Sequence, residues 1–120
     1  MHHLLLIAHG SRRQESTDEI HSLVEHIRER ADNRYATVEC AFLELTEPSI
    51  DTAIARSVED GATRITLLPY FLTDGNHVAN DIPAIYQCAV DRFPDTQIEL
   101  RPYFGSAPAV ADLLLELSLS

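Results

Sequence analysis

The sequence predicts an α/β fold with an open, doubly wound, four-stranded parallel sheet flanked by helices. Four apolar runs recur along the 120 residues, and a segment with helical periodicity follows each run. The first three runs lack a clean polar alternation, which is typical of strands covered on both faces. Right-handed crossovers between four such strands favour the order 2-1-3-4, in a single domain that spans residues 1–120.

The predicted strands are the apolar runs themselves. They are Leu4 to Ala8, Thr37 to Leu43, Arg64 to Phe71 and Gln97 to Tyr103. The fourth run mixes polar and apolar residues, so we expect it at an edge of the sheet.

The first two predicted helices each present an apolar face. In the first helix the stripe consists of Ile20, Leu23, Val24, Ile27 and Ala31. The Ser16 to Glu19 segment has the spacing of a capping box near the start of this helix. The second helix is predicted to begin near Pro48, to bury Ile50, Ala53, Ile54 and Val58, and to stop at Gly61.

The last two predicted helices follow the third and fourth strands. The third opens around Asp81, which is expected to cap it, and ends before Pro94. The fourth follows Ser106, a predicted N-cap. We expect its apolar side chains to face the core: Val110, Leu113, Leu114 and Leu117.

The charge and the cysteine content exclude several classes of protein. Nineteen acidic and nine basic residues give a formal net charge of −10, which repels nucleic acid and anionic membrane surfaces. We therefore expect neither a nucleic-acid nor a membrane partner. Cys40 and Cys88 lie in apolar stretches without CxxC spacing, and no secretory signal accompanies them. These features predict buried free thiols in the cytoplasm.

Polar residues suited to chemistry follow the first three strands. His9 follows the first strand, Glu44 the second and His77 the third. In open parallel sheets the functional site lies outside the carboxyl ends of the strands, so these side chains are expected on one rim. Imidazoles and a carboxylate suit divalent iron, cobalt, nickel or zinc. Because these ligands are too few for a closed structural cage, the pattern predicts an open metal site.

Two alternative interpretations fit the residues less well. A nucleophilic His9 of the phosphoglycerate-mutase kind, with Arg12 and Arg13 binding phosphate, would need an arginine immediately before the histidine. The loop also lacks the glycine-rich phosphate cradle of a P-loop. Ser11 as a nucleophile, with His77 as its base, lacks the G-x-S-x-G elbow.

Three motifs, in this order, resemble those of the small class II chelatases, which are the CbiX-type sirohydrochlorin cobaltochelatases and their ferrochelatase relatives. The motifs are Ala8-His9-Gly10-Ser11-Arg12, Phe42-Leu43-Glu44-x-x-x-Pro48 and Leu68-Pro69-Tyr70-Phe71-Leu72-x-x-Gly75-x-His77-Val78-x-x-Asp81-Ile82-Pro83. The similarity spans nearly the whole chain. It implies a chelatase-like fold equivalent to one half of a two-domain chelatase.

The resemblance also implies an activity and a set of site residues. The activity is insertion of a divalent metal ion into sirohydrochlorin, with Co²⁺ the first expectation and Fe²⁺ or Ni²⁺ open, in cobalamin-type or sirohaem-type biosynthesis. The ion is a substrate, and no organic cofactor is implied. His9 and His77 correspond to the family's active-site histidines, and Glu44 to its glutamate. Chains of this length are expected to pair as homodimers.

The substrate implied by the resemblance carries many carboxylate arms, which the net negative charge of the protein repels. Local groups must compensate, and Ser11, Arg12 and Arg13 on the first loop are predicted to bind these arms. The alternative function is a non-catalytic carrier of the metal or the tetrapyrrole with the same fold. The sequence leaves the physiological metal and the pathway open.

Overall fold

The structure, a computed structural model, describes residues 1–75 and 77–119, except for the side chains of His77 and Val78. In this part of the chain four parallel strands form one sheet in the order β2-β1-β3-β4. The strands are β1 (His2–Ala8), β2 (Thr37–Phe42), β3 (Arg64–Pro69) and β4 (Gln97–Leu100). The predicted fold class, strand order and edge position of β4 are confirmed.

The helices alternate with the strands along the chain. They are α1 (Gln14–Ala31), α2 (Ile50–Glu59), α3 (Ile82–Arg92) and α4 (Pro108–Ser118). A π-helical turn, His77–Asp81, precedes α3, and a 3-10 turn, Phe104–Ser106, precedes α4. None of the helices in the described ranges is long and apolar enough to cross a membrane.

The central strand β1 contributes side chains to two apolar cores. Leu5 and Ile7 pack on one face of the sheet with Ile54 of α2, which is fully buried. Leu4 and Leu6 pack on the opposite face, which α1 covers. Successive side chains of a strand point to opposite faces, so a strand covered on both faces must be continuously apolar. This explains why the first run lacks polar alternation.

Two helix starts differ from their predictions. Helix α1 begins at Gln14, so the Ser16 to Glu19 segment lies inside the helix and does not form the predicted capping box. Helix α2 begins one residue after Ser49, whose hydroxyl accepts a hydrogen bond from the Thr52 N–H at 3.2 Å. A serine that can satisfy an unpaired backbone donor defines the helix start better than the preceding Pro48 does.

Of the predicted caps of the last two helices, Asp81 is confirmed in position and Ser106 is wrong. Asp81 occupies the N-cap position of α3 but makes no capping hydrogen bond with its side chain. Ser106 belongs to the 3-10 turn, and its hydroxyl donates to the Tyr103 carbonyl at 2.6 Å. The N-cap of α4 is Ala107. Serine hydroxyls bind nearby carbonyls in turns as readily as they cap helices, so the residue type alone did not distinguish the two.

Helix α4 is apolar but does not pack into the core, which contradicts the sequence prediction. It has no buried residue, and Leu113, Leu114 and Leu117 are 46%, 62% and 62% exposed. The preceding 3-10 turn is tied to the carboxyl end of the sheet, where the Gly105 N–H donates to the Phe71 carbonyl at 2.8 Å. The helix therefore starts at this rim and packs mainly against the 3-10 turn.

The two cysteines differ in burial. Cys40 is buried beneath α1, and desolvation raises the pKa of its thiol. Cys88 on α3 is exposed, so the prediction that both thiols are buried is wrong for this residue. Both are free thiols.

The edge strand β2 is covered by a side chain of α1. The Arg28 Nε–H donates to the Val38 carbonyl at 2.9 Å, and the same guanidinium pairs with Glu25 and, at 3.0 Å, with Glu39. One arginine thus fixes the end of α1 to the strand beside it.

A polar network lies on strands β3 and β4, on the same face of the sheet as α1. The Arg64 Nε–H donates to Glu99 at 2.5 Å, and the Thr66 hydroxyl donates to the same carboxylate at 3.2 Å. The hydrogen bond from Arg64 lowers the pKa of Glu99 below its usual value. The two side chains are 48% and 25% exposed. The network therefore remains in contact with solvent.

Candidate active site

The loops that follow β1 and β2 meet at the carboxyl end of the sheet. The backbone pairing of the two strands continues beyond them, because the Leu43 N–H donates to the Ala8 carbonyl at 2.9 Å and the Glu44 N–H to the His9 carbonyl at 3.0 Å. His9 and Glu44, which are 35 residues apart in sequence, consequently lie next to each other.

The side chains of His9 and Glu44 form a hydrogen-bonded pair at this rim. His9 Nε2 lies 2.8 Å from Glu44 Oε1, and both side chains are about half exposed, at 49% and 48%. A carboxylate can only accept, so Nε2 carries the hydrogen and a neutral His9 has its lone pair on Nδ1. The carboxylate thereby orients the ring and selects its tautomer.

The close contact between the two loops requires glycine at position 10. Gly10 has φ +102°, a value that side chains rarely permit, and a Cβ atom there would lie 1.7 Å from the Glu44 carbonyl oxygen. Any other residue would push the loops apart and separate His9 from its carboxylate.

Thr46 joins the same two loops through its hydroxyl group. The oxygen accepts a hydrogen bond from the Ser11 N–H at 3.2 Å and donates one to the Ser11 carbonyl at 3.0 Å. Its own N–H donates to the Glu44 carbonyl at 2.8 Å. One hydroxyl therefore satisfies both backbone groups of Ser11 and fixes the loop that begins with His9.

His77 follows β3, and its backbone opens the π-helical turn before α3. Its side chain lies outside the described residues, so the assignment of this histidine as a metal ligand or base stays a prediction. Among the described residues no three His, Cys, Asp or Glu side chains form a group that could hold a metal ion.

The three predicted substrate-binding residues lie on the first loop, in different environments. Ser11 is partly buried, and its hydroxyl oxygen accepts from the Arg13 N–H at 3.0 Å. The Arg13 guanidinium pairs with Glu15 at 3.2 Å on the exposed surface. Arg12 is exposed. Of the two arginines, Arg12 is the better placed to bind an external carboxylate, because the charge of Arg13 is already paired.

Two cavities lie beside the sheet. One, of about 250 Å³, lies beside His9 between the first loop, the start of α1 and Tyr70. We call it the His9 cavity. A larger one, of about 560 Å³, opens between α1 and α2 beside the edge strand β2, and neither His9 nor Glu44 lines it. The smaller cavity is the one adjacent to the candidate catalytic pair.

Sequence reasoning missed Thr46 and the structural requirement at Gly10. Both act through contacts with residues more than thirty positions away, and local spacing carries no signal for such contacts. The only available indication was position, since both residues follow the carboxyl ends of parallel strands.

Comparison with known proteins links this geometry to one family. The CbiX family profile matches residues 3–119. The chain is 32% identical over 113 residues to a sirohydrochlorin ferrochelatase of Priestia megaterium, covering 94% of this chain and 42% of that protein. It is 39% identical over 85 residues to a sirohydrochlorin cobaltochelatase of Methanocaldococcus jannaschii, covering 71% of this chain and 58% of that protein.

A solved structure extends the similarity to the fold. The crystal structure of a CbiX protein from Marinobacter aquaeolei VT8 superposes with a TM-score of 0.82 at 27% identity, covering 98% of this chain and 92% of that one. By contrast, the chain spans about half the length of the curated relatives it matches. The fold neighbour shows that a chain of nearly this length exists with the same architecture.

Proposed function

Because this chain belongs to the CbiX family, we propose that it inserts a divalent metal ion into sirohydrochlorin. The observation that carries the proposal is the His9–Glu44 pair, 2.8 Å apart at the carboxyl end of the sheet. Curated relatives are named for this reaction with cobalt and with iron. Co²⁺ is the first candidate for the substrate ion, followed by Fe²⁺ and Ni²⁺, and we assign no organic cofactor to the reaction.

The His9–Glu44 pair suits the two requirements of metal insertion. The ion must exchange its water for ligands that it can leave again, and the pyrrole N–H groups must lose their protons. The imidazole of His9 can hold an ion or accept a proton. Glu44 stabilises the imidazolium that forms when Nδ1 is protonated. We assign His77 as the second histidine, sharing these tasks with His9.

The substrate arms require groups that bind carboxylates. Ser11, Arg12 and Arg13 are the residues we assign to them. Arg12 contributes the most, because among the described side chains it pairs with no carboxylate, whereas Arg13 pairs with Glu15. The acidic surface repels the carboxylate arms but attracts the metal ion, because a charge of −10 favours the approach of divalent cations.

We further propose that the protein acts as a homodimer. The leucines of α4 are about half exposed or more, which is uncommon for an apolar helix of a soluble chain that has no partner. Because α4 starts at the rim that carries His9, a second copy bound to this helix would lie against the site. The two copies together would then form a cleft wider than one chain offers for the tetrapyrrole.

The net charge and the free cysteines bear on the partners and the compartment that we assign to the protein. The negative charge argues against nucleic-acid and membrane partners. Two free cysteines suit a reducing compartment, and we therefore assign the protein to the cytoplasm.

Anaerobic absorbance of sirohydrochlorin tests the proposal. The protein is mixed with Co²⁺, Fe²⁺, Ni²⁺ or Zn²⁺ in separate cuvettes, each compared with the reaction without protein. We expect accelerated insertion with at least one ion. A spectral shift on binding without acceleration would instead establish the carrier function.

Histidine variants then test the site. His9→Ala is expected to slow insertion roughly 100-fold or more, the usual range for loss of a general acid or base. His77→Ala should have a comparable effect while tetrapyrrole binding survives. His26→Ala is the matched control, because His26 lies exposed on α1 away from the rim. Insertion at the parental rate by His9→Ala or His77→Ala would show that the assignment of that histidine is wrong.

A further inference from the structure

The larger cavity, of about 560 Å³, opens between α1 and α2 beside β2, and we call it the His3 cavity. His3 lies near the start of β1, six positions before His9, so about 20 Å of extended strand separates the two histidines. A volume of this size is within the range of cavities that bind small organic molecules. The His3 cavity is therefore separate from the His9–Glu44 pair and large enough for a ligand of its own.

His3 has an unpaired polar atom at the wall of this cavity. The residue is 1% exposed, and its Nε2 is the buried side-chain atom of the described residues that has no hydrogen-bond partner. Buried polar atoms are normally paired, and leaving one unpaired costs stability. A ligand that entered the cavity fully would supply the missing partner.

The other nitrogen of the ring is held by α2. His3 Nδ1 lies 3.0 Å from the Ser57 hydroxyl, which is also buried and is bonded within the described residues to His3 alone. The hydroxyl hydrogen is satisfied when it is donated to Nδ1, and Nε2 then carries the hydrogen of the neutral ring. The cavity wall therefore offers an N–H donor, and the matching ligand group is an acceptor.

The charged residues of the lining lie away from this donor. Three carboxylates line the cavity, those of Glu25, Glu39 and Asp60, and all three residues are exposed, whereas His3 and Ser57 are buried. Solvent screens the exposed charges. The inner wall is consequently a place where an acceptor meets a donor without a buried carboxylate to repel it.

The remaining lining residues define the rest of the ligand. Thr37 pairs with His3 in the register of β1 and β2, so the two side chains are neighbours on the same face of the sheet, and the Thr37 hydroxyl is a second donor. Leu5, Pro48 and Ala53 contribute apolar surface. A carboxylate can accept from two neighbouring donors, and such charge-assisted bonds are the stronger ones.

We propose that the His3 cavity binds a small monocarboxylate with an apolar body, and that His3 recognises the carboxylate through Nε2–H with help from Thr37. The apolar body of the ligand lies against Leu5 and Ala53. This site goes beyond the proposed function and does not depend on it, because it lies at the other end of β1 and involves none of the residues assigned to metal insertion.

Two simple carboxylates serve as probes, octanoate with an aliphatic body and 4-phenylbutanoate with an aromatic one. Isothermal titration calorimetry measures their Kd for the parent chain, and octylamine and 1-octanol are the matched controls without a carboxylate. We expect saturable binding of at least one probe and binding of both controls that is weaker by roughly 10-fold or more. Long-range ¹H–¹⁵N spectra of the histidine rings should show His3 as the Nε2–H tautomer, with a signal that shifts when the probe binds.

Substitutions at the inner wall test the recognition. His3→Phe keeps a ring of similar size without a donor and should raise the Kd roughly 10-fold to 100-fold, the usual effect of losing a hydrogen bond to a charged group. His3→Gln places an amide N–H near the position of Nε2 and should retain most of the binding. Thr37→Val, at a half-buried position, should weaken binding by a few-fold. Arg12→Gln is the control for carboxylate binding at the rim and should leave the Kd unchanged.

Several results would overturn the site. These are the absence of binding by both probes, equal binding of the controls, an Nδ1–H tautomer of His3, and a His3 signal that does not respond to a bound probe. Equal weakening by His3→Phe and His3→Gln would indicate lost packing and would also overturn it. Loss of binding in Arg12→Gln with retention in His3→Phe would place the carboxylate at the rim instead. If His3→Phe does not fold, the His3 signal of the parent chain and the Kd of Thr37→Val decide the question. None of these measurements uses sirohydrochlorin, so failure of the site leaves the proposed function untouched.

Discussion

Helices α2 and α4 both carry apolar residues at helical spacing but have opposite surroundings. Each follows a strand of the sheet, and each was predicted to turn apolar side chains towards the core. In α2 the prediction is confirmed, since Ile50, Ala53 and Ile54 are at most 5% exposed. In α4 no residue is buried. The difference teaches that helical spacing of apolar residues predicts a covered face but not which chain covers it.

The largest effect is expected for a substitution in α2, whose apolar face is buried within its own chain. Ile54→Ala should lower the free energy of unfolding by about 2–5 kcal/mol, because the side chain is fully buried and its removal leaves a cavity. Urea unfolding monitored by circular dichroism measures this. The control is Leu114→Ala on α4, at a protein concentration where the chain is monomeric, and it should cost far less. Equal losses would show that α4 packs on its own sheet in solution.

The second prediction concerns the helix that lacks a partner within the chain. Leu113→Asp should weaken dimerisation roughly 10-fold to 100-fold, which corresponds to exposing one leucine per copy and burying a charge instead. Light scattering over a dilution series measures the dissociation constant. Asp112→Asn, on the same helix, is the matched control. A parent chain that stays monomeric at all concentrations would contradict the dimer and leave α4 without its proposed cover.

The third prediction concerns the loops after β1 and β2, which Thr46 joins within one chain. Thr46→Val removes both hydrogen bonds to Ser11 and should cost about 1–2 kcal/mol of stability. It should also slow metal insertion, because the loop that carries His9 loses its attachment. Thr46→Ser keeps the hydroxyl and should retain the stability and the insertion rate of the parent. The effect should not depend on protein concentration, and a dependence would mean that the second copy also holds these loops.

The smallest expected effect lies on the sheet face where Arg64 and Glu99 pair. The pKa of Glu99 is lower in the folded chain than in the unfolded one, so the pair contributes stability above pH of about 4.3 and loses it as the pH falls through the folded value. Glu99→Gln should therefore flatten the fall in stability on acidification. Since both side chains contact solvent, added salt should reduce the difference. An effect insensitive to salt would indicate that a second copy covers the pair.

The prediction of the fold succeeded where one run of residues carried the signal. Leu4 to Ala8 is apolar without interruption, as a strand covered on both faces must be, and the crossover rule left few strand orders, of which the favoured one is confirmed. His9 and Glu44 could be assigned to one rim because parallel strands bring their carboxyl ends together.

The rest depended on contacts that no short segment contains. The pairing of Thr46 with Ser11 and the close approach of Gly10 to Glu44 join residues 34 or 35 positions apart, and they exist only after the two strands align. Cys88 is exposed although the apolar residues Ala89 and Val90 follow it, because the face of α3 that carries it turns away from the sheet. Local composition does not indicate which face of a helix is turned towards the sheet.

The guanidinium of Arg28 has a consequence for the behaviour of the protein at high concentration. An edge strand with unpaired carbonyls can recruit a strand from another molecule, and repeated recruitment leads to aggregation. At β2 the Val38 carbonyl is already occupied by Arg28, and the ion pair with Glu39 places charge along the same edge. An incoming strand would have to break these bonds before it gained any of its own. The arginine therefore acts as a gatekeeper against misassembly, so that copies of the chain can associate without merging their sheets.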